Sequence, residues 1–315
     1  MTGFNAIQAV LLIPLGAVFV LALLPGYRLT AALNVLASLA TLLAALSLFV
    51  ARPAEGQLLF VDDLNVVFIA LNTLVGFTTS VFSASYIAHE LETGRLTPTY
   101  LRFYHAMYQA MMFGMNLALL ANNIGLLWVA VELATLTTVL MVGIYRTHEA
   151  LEAAWKYFIL GSVGIALALF GTILVYVAAQ PEIGEGLDAM TWTILIQRAI
   201  AFDPALLNVA FVFLLLGYGT KVGLAPVHAW LPDAHAEGPT PISAVLSGLL
   251  LNVALYAVLR FKMLMSANGA AIAPGPLMVT MGLTSLIFAA FMLYRRRDIK
   301  RLFAYSSIEH MGIIT

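Results

Sequence analysis

The sequence contains no cysteine among its 315 residues. This absence excludes disulfide bonds, zinc sites with cysteine ligands, and iron–sulfur clusters held by cysteines of this chain. Any redox chemistry connected with the protein would therefore take place on partner subunits. Charged residues are also scarce, since they make up 10% of the chain, against about 25% in ordinary soluble domains. A chain this poor in charge cannot cover a soluble surface, so we expect lipid to be its main solvent.

The common nucleotide and cofactor motifs are missing as well. There is no Walker A loop, no dinucleotide-binding glycine motif and no HExxH zinc motif. The formal net charge of −1 gives no electrostatic reason to expect a nucleic acid partner. We therefore expect neither a cofactor nor a metal in this chain.

Long apolar runs are what the sequence has in abundance, and 62% of its residues are hydrophobic. A membrane-spanning helix needs about 20 predominantly apolar residues. The segment from Leu187 to Ile200 mixes apolar and polar residues and is typical of an interfacial stretch. Met1–Gln8 has no Lys or Arg, so we do not expect a cleaved signal peptide. We predict an all-α polytopic protein with about ten spans: 6–24, 30–50, 64–88, 104–121, 124–145, 155–178, 206–222, 242–261, 273–294, and a tenth that begins at Arg301.

Basic residues between the spans predict the orientation in the membrane, because cytoplasmic loops carry an excess of Lys and Arg. The loops after even-numbered spans hold Arg52, Arg198, Arg260 and Lys262. The loops after odd-numbered spans are richer, which predicts a multi-pass protein of the inner (cytoplasmic) membrane with its N-terminus outside. They hold Arg28, Arg95, Arg102, Arg146, Arg295, Arg296, Arg297, Lys300 and Arg301.

Glu132 lies near the middle of the fifth predicted span, in the run LLWVAVELA (126–134). A charged residue inside the membrane costs roughly 2.5–3.5 kcal/mol on insertion scales and commonly marks a transport path. Its short side chain cannot reach either interface, which is about two helical turns away. Glu132 is therefore a candidate proton carrier; a protonated glutamate hydrogen-bonded to a neighbouring helix is the structural alternative.

Lys221 ends the apolar seventh span, just before Gly223 and Pro226. Proline removes a helical donor and clashes with the preceding turn, so the pattern predicts a broken helix near 223–226. Lys221 would then meet the free carbonyls and the negative dipole end of the first half-helix. Broken helices hold ions in many transporters. Alternatively, Lys221 ends an ordinary span and reaches water.

A buried lysine and a buried glutamate shift each other's proton affinity. If Glu132 moved toward or away from Lys221, the lysine would take up or release a proton. This is the physical core of a pump. The sequence does not show whether the two side chains touch.

Further ionisable residues extend the candidate relay. Lys156 opens the sixth span beside Trp155 and Tyr157, an arrangement equally typical of an interfacial anchor. The spacing of His228 and His235 matches no strong metal-ligand pattern, so polar groups lining a water-filled path are the preferred interpretation. Glu309 and His310 lie in the tenth span, where the histidine could relay protons or make a local hydrogen bond. Thr240-Pro241 predicts an N-cap followed by proline at the start of the eighth helix.

Two motifs make the chain similar to a known family. The stretch KVGLAPVHAWLPDAHAEGPTP (221–241) resembles the signature of the antiporter-like subunits of respiratory complex I, of membrane-bound hydrogenases and of multisubunit sodium/proton antiporters. The stretch RDIKRLFAYSSIEHMG (297–312) is similar to a second motif of these proteins. Ile308-Glu309-His310 together with Asn252 looks most like the hydrogenase-4 component F branch.

The resemblance assigns Glu132, Lys221 and Lys156 to the charges of the fifth, seventh and sixth helices in the family's proton relay. It implies that energy from redox chemistry or antiport rearranges these charges and moves a proton. Many relatives have a lysine where Asn252 stands, and asparagine cannot hold a charge. This step would therefore use water, a histidine or another residue, or be absent, which makes Asn252 a possible gap in the relay.

The resemblance also implies inverted repeats. We expect three N-terminal transmembrane helices in residues 1–103, a first five-helix proton-channel repeat in 104–263 with a broken seventh helix, and the start of a second repeat in 264–315. The rest of that second repeat, with its broken helix and ion-carrying residue, is not in this sequence. The chain is thus expected to be C-terminally incomplete relative to the family.

The leading hypothesis is a proton-translocating subunit of a complex-I-like or hydrogenase-type oxidoreductase complex. Its partners would be other membrane and peripheral subunits, lipid, and protons or sodium, and it would hold no redox centre of its own. Three alternatives remain open: a subunit of a sodium/proton antiporter, a proton-driven module of an inorganic-carbon uptake complex, and a structural scaffold.

Overall fold

The computed structural model describes residues 5–294 and 298–315, apart from the side chains of residues 98, 99, 101 and 102. This part of the chain is almost entirely helical, which confirms the predicted all-α class. The helices are α1 (Ala6–Leu23), α2 (Tyr27–Ser47), α3 (Asp63–Glu92), α4 (Pro98–Leu120), α5 (Ile124–Val142), α6 (His148–Ile183), α7 (Trp192–Arg198), α8 (Pro204–Val222), α9 (Leu231–Glu237), α10 (Thr240–Val245), α11 (Leu251–Ala267), α12 (Pro274–Leu293) and α13 (Ile299–Ile314).

Within the described residues, eight helical segments are long and apolar enough to cross a membrane, counting 240–267 as one segment. They coincide with eight of the ten predicted spans. The other two, 104–121 and the span that begins at Arg301, fall on α4 and α13. Both are helices, but their status as spans stays a prediction. The segment predicted to be interfacial contains the seven-residue helix α7, which is too short to cross a bilayer. The cluster Arg295–Arg297 lies outside the described residues.

The predicted break in the seventh span is present. Helix α8 ends at Val222, and Gly223 follows with a φ of +78°, a left-handed conformation that glycine adopts without steric cost. The short helix α9 then begins at Leu231. Helix α10 starts at Thr240 as expected, but the predicted capping role of Thr240 is wrong. Its hydroxyl donates a hydrogen bond to the Tyr86 hydroxyl instead, and Pro239 occupies the N-cap position.

A five-residue π-helical turn, Leu246–Leu250, joins α10 to α11. π-helical turns leave backbone groups outside the regular ladder and are frequent at functional sites. Within this turn, the carbonyl of Gly248 accepts a hydrogen bond of 2.7 Å from the side chain of Asn252. The asparagine therefore has a local structural role at the position where the resemblance places a relay lysine.

Helices α6 and α8 pack closely because small residues face each other. A Cβ atom added to Gly217 would lie 2.5 Å from the backbone nitrogen of Ala168, and one added to Gly164 would lie 2.7 Å from the Thr220 side chain. Neither position has room for a larger residue. Such small-residue contacts let helix backbones approach in membranes, where lipid provides no hydrophobic drive for association.

At one end of the bundle, three loops lie side by side. Isolated β-bridges join Leu59 to Ala121 and Asn123 to Thr191. Arg260, counted above as a loop residue, instead lies buried within α11. Its guanidinium makes two hydrogen bonds, of 2.7 and 2.8 Å, to the carboxylate of Asp62. A long arginine side chain can reach a helix end from a position inside a span. Counting basic residues between the predicted spans therefore misplaced Arg260 in a loop.

Candidate functional site

The candidate site is centred on the ammonium group of Lys221, which the last turn of α8 carries into the protein interior. The side chain is 0% exposed. Helices α5 and α6 face it, so its surroundings are formed by three helices of the bundle. An isolated ammonium in such a place is strongly disfavoured unless it finds charged or polar partners.

Two side chains of α5 supply these partners. The Nζ atom of Lys221 lies 2.9 Å from Oγ1 of Thr135 and 3.4 Å from Oε2 of Glu132. Glu132 is 19% exposed, so the carboxylate is the less buried member of the pair. Thr135 follows Glu132 by three residues, which puts both side chains on one face of the helix. The two residues predicted as proton carriers therefore do meet.

Helix α6 contributes space to the site. A Cβ atom at Gly161 would lie 2.9 Å from the Nζ atom of Lys221, so a glycine at this position leaves the room that the ammonium occupies. A pair of opposite charges in this environment favours the ionised form of both groups, while burial favours the neutral forms. A small displacement of either group can therefore change where the proton resides.

Aromatic side chains close the break next to Lys221. The indole Nε1 of Trp230 donates a 2.7 Å hydrogen bond to the carbonyl of Thr220. The ring of Trp230 stacks on Tyr157 of α6, with ring centroids 4.4 Å apart. The Tyr157 and Thr138 hydroxyls are 2.8 Å apart. On the other side, the backbone N–H of Ala225 donates to the Ser285 hydroxyl at 2.8 Å.

The two histidines of the signature lie in different surroundings. His228 packs edge-on against Phe288 of α12, with ring centroids 4.2 Å apart. Its Nδ1 atom is buried and has no hydrogen-bond partner among the described residues. His235 is also buried and faces a separate cavity of about 520 Å³ between α10 and α13. His310 lines the same cavity, and its Nδ1 contacts the carbonyl of Ser306 at 2.6 Å.

Lys156 lies apart from the buried pair. Its ammonium contacts Glu152 at 2.7 Å and Asp233 at 3.1 Å, and its side chain is 47% exposed. Asp233 also contacts Arg301 of α13 at 3.2 Å. Lys156 thus joins α6 to α9, and through Asp233 to α13, at the surface of the described structure.

Two groups of this site were not singled out from the sequence. The signal for Thr135 was its spacing of one helical turn from Glu132. Asp233 gave no signal in the sequence, because its basic partners, Lys156 of α6 and Arg301 of α13, come together only in the folded chain. Among residues 5–294 and 298–315, no three His, Asp or Glu side chains form a group that could hold a metal ion.

Comparison with known proteins agrees with this geometry. Residues 121–315 match the family described as the transmembrane region of NADH:quinone oxidoreductase and Mrp antiporter subunits. The chain belongs to this family. The matched region contains α5 to α13, and with them Glu132, Lys221 and the broken helix.

Relatives within the antiporter-like family confirm the hydrogenase-4 branch. The hydrogenase-4 component F homolog of Methylacidiphilum infernorum is 63% identical over 307 residues, covering 98% of this chain and 64% of the relative. NAD(P)H-quinone oxidoreductase chain 4 of Gloeobacter violaceus is 33% identical over 213 residues, covering 68% of this chain and 39% of the relative. This antiporter-like chain thus spans less than two thirds of the length of either relative.

Solved structures of the same fold come from respiratory assemblies. A chain of the archaeal membrane-bound sulfane sulfur reductase superposes with a TM-score of 0.84 at 22% identity, over 98% of this chain and 63% of that one. A chain of respiratory complex I from Thermus thermophilus gives 0.77 at 24% identity, over 98% and 62%. The antiporter-like fold, with its broken helix, is therefore established for this chain.

Proposed function

We propose that this chain is part of a proton-translocating membrane subunit of a complex-I-like or hydrogenase-type oxidoreductase complex. The observation that carries the proposal is the fully buried ammonium of Lys221, held between Glu132 and Thr135 at the end of a broken helix. The chain's relationship to a hydrogenase-4 component F homolog supports the assignment to such a complex. Electron transfer would take place on partner subunits, and their rearrangement would drive this one.

The ion pair provides the translocation step. When Glu132 approaches Lys221, its negative charge favours the protonated lysine. When the pair opens, burial disfavours the ammonium, and the lysine releases its proton to the next acceptor. The 3.4 Å separation from Glu132, with a shorter contact to Thr135, leaves the ammonium able to change partners without a large helix movement.

The remaining predicted relay residues would carry protons on either side of the buried pair. Lys156 would accept protons from the surface side, since it contacts Asp233 and Glu152 rather than the buried pair. His228 and His235 would pass protons beyond the break, and His310 would accept them in the cavity that it shares with His235. Asn252 cannot carry a proton as a charge and is held by Gly248, so the route at this level would use His235 and water.

We place the subunit in the inner membrane with its N-terminus outside. The support is the distribution of basic residues, since Arg95, Arg146, Lys300 and Arg301 lie at one end of the bundle, and Lys and Arg are enriched in cytoplasmic loops. The loops joined by the Leu59–Ala121 and Asn123–Thr191 bridges lie at the other end and would face outward.

Proton uptake into vesicles that carry the complete complex tests this function. Glu132→Gln and Lys221→Ala should each lower electron-donor-driven uptake by about 100-fold, within the range that a positioned proton-transfer group contributes. The matched controls are Glu182→Gln and Lys262→Ala, which change exposed residues and should retain the wild-type rate. Unchanged uptake in an assembled Lys221→Ala complex would contradict the proposal and favour a scaffold.

The family's connection to Mrp antiporters makes sodium/proton antiport the second candidate. The two functions differ in their driving force. An oxidoreductase subunit should move protons only while the complex receives electrons. Release of sodium from preloaded vesicles in response to a pH gradient, without any electron donor, would favour the antiporter.

A further inference from the structure

Glu90 is a second buried carboxylate, and it lies outside the site described above. It is in the last turn of α3 and is 3% exposed. Its Oε1 atom lies 3.6 Å from the guanidinium of Arg95, which is itself largely exposed. Its Oε2 atom is buried and has no hydrogen-bond partner among the described residues. The carboxylate therefore joins the protein surface on one side to the interior on the other.

Helix stability does not account for this residue. The C-terminal end of a helix carries a partial negative charge and favours cations. Helix α3 ends at Glu92, so Glu90 places a carboxylate where the helix dipole opposes it. Burial adds a further cost, because the carboxylate loses water and its contact with Arg95 is long, at 3.6 Å. A buried carboxylate that costs stability in two ways calls for a functional explanation.

A chain of hydroxyl groups leads away from Glu90. Burial raises the pKa of Tyr145, and the neighbouring Tyr86 and Glu90 raise it further, so this phenol stays protonated. The Tyr145 and Tyr86 hydroxyls are 3.3 Å apart. The Thr240 hydroxyl lies 3.5 Å from that of Tyr86. Hydroxyl groups both donate and accept hydrogen bonds, so such a series can pass protons in either direction.

The chain ends at the cavity that contains His235. Thr240, His235 and Ser243 all line this space of about 520 Å³, which is large enough for several water molecules. The Nε2 atom of His235 is buried and has no hydrogen-bond partner among the described residues, so no described protein group competes with a cavity water for this atom. Lys300 lines the same cavity and donates hydrogen bonds to the carbonyls of Ala236 and Gly238, which fixes the end of α9 beside it.

We propose that Glu90 is a proton-loading group that supplies the cavity of His235 from the adjacent aqueous phase. This inference rests on the proposed function of the subunit. Glu90 takes a proton from water and gives it to the Tyr145 hydroxyl as Tyr145 passes its own proton to Tyr86. The Thr240 hydroxyl, which donates to Tyr86 in the structure, rotates so that its proton faces the cavity, and Tyr86 in turn passes a proton to the Thr240 oxygen. Thr240 releases a proton to water in the cavity, and His235 accepts it, so each oxygen ends with the protons it began with.

Proton uptake by the assembled complex, under its own electron donor, tests the role of Glu90. Glu90→Gln should slow uptake by about tenfold, less than a fully enclosed acid–base group contributes, because nearby solvent can partly replace it. Tyr145→Phe should slow it similarly, since the phenyl ring cannot relay a proton. Glu90→Asp should recover most of the rate. The matched control is Glu92→Gln, which changes an exposed carboxylate two residues further along the same helix and should retain the wild-type rate.

Two further variants separate the possible outcomes. If Glu90 serves only its ion pair with Arg95, then Arg95→Ala should reproduce the Glu90→Gln defect, and that result would overturn the inference. Lys221→Ala is measured in parallel. Wild-type uptake in Glu90→Gln beside a collapse in Lys221→Ala would reject the role of Glu90 alone, whereas wild-type uptake in both would reject the proposed function itself. If Glu90→Gln fails to assemble, Tyr145→Phe decides, and an unchanged rate there would refute the path.

Discussion

The Nζ atom of Lys221 lies closer to the hydroxyl of Thr135, at 2.9 Å, than to the carboxylate of Glu132, at 3.4 Å. The hydroxyl of Thr135 donates its own proton to the carbonyl of Val131 at 2.9 Å, so its oxygen is free to accept from the ammonium. A neutral group thus makes the shorter contact to the buried lysine. If the carboxylate moves away, the ammonium still keeps Thr135 as a partner.

Thr135→Val should slow proton transport by about tenfold while the complex still assembles. The valine keeps the shape but removes the acceptor, and a hydrogen bond to a charged group is worth roughly 1.5–3 kcal/mol. Thr135→Ser, which restores the hydroxyl, should retain most of the rate. Equal rates in the valine and serine variants would show that the hydroxyl plays no part in holding Lys221.

Gly161→Ala should impair transport without changing any charge or polar group. The added methyl carbon would lie 2.9 Å from the Nζ atom of Lys221, so the flexible end of the lysine must move away from its partners. The matched control is Gly16→Ala in α1, where an added Cβ meets no atom within 4 Å. We expect several-fold slower proton uptake in Gly161→Ala and an unchanged rate in Gly16→Ala. Similar rates in both would mean that Lys221 tolerates displacement.

Asp62→Asn should lower the free energy of unfolding by about 3 kcal/mol, the low end for breaking a buried ion pair, because Asp62 is 33% exposed. Asparagine is an equally good N-cap, so the start of α3 is preserved. The neighbouring Asp63 is 94% exposed and pairs with Arg52; Asp63→Asn should cost less than about 1 kcal/mol. Denaturant titration in detergent micelles measures both values. Equal losses would show that the buried guanidinium of Arg260 does not depend on Asp62.

The same pair predicts a pH dependence of stability. Burial alone would raise the pKa of the Asp62 carboxyl, but hydrogen bonds and charge from Arg260, with the N–H groups of Leu64 and Asn65, hold it below its usual value. The carboxylate therefore stabilises the folded state above the unfolded pKa, and this contribution is lost as the pH falls through the folded pKa. The stability difference between wild type and Asp62→Asn should be constant near neutral pH and shrink below about pH 4. A difference that grew on acidification would contradict this assignment.

Hydrophobic run length and proline chemistry made the fold predictable. Pro226 and Gly223 indicated the break after Lys221, and the structure has it there. The isolation of Glu132 and Lys221 in apolar runs identified both as unusual residues. Their contact could not be read from the sequence, because it depends on how α5, α6 and α8 pack around Gly161.

The sequence did not reveal the roles of side chains whose partners are distant along the chain or that lie just outside the predicted spans. Arg260 looked like a loop residue because its partner, Asp62, is 198 positions away. Glu90 lies just beyond the predicted span 64–88, so its position in the sequence does not mark it as a membrane charge. The division of the chain at residues 103 and 263 stays a prediction. So do the relay roles of all the predicted site residues, which are Glu132, Lys156, Lys221, His228, His235 and His310, and the relay gap at Asn252.

The hydrogen bonds at the end of α8 also bear on which ions the break can accommodate. The carbonyl of Thr220 accepts from Gly223 N–H and from the indole of Trp230. The carbonyl of Gly219 accepts from Gly223 N–H and Leu224 N–H. A carbonyl oxygen has two lone pairs, so both oxygens are fully occupied. A sodium ion that had shed its water would find no ligands in them, whereas a proton travelling on nitrogen or oxygen needs none. These two carbonyls therefore offer no ligand to a dehydrated metal cation.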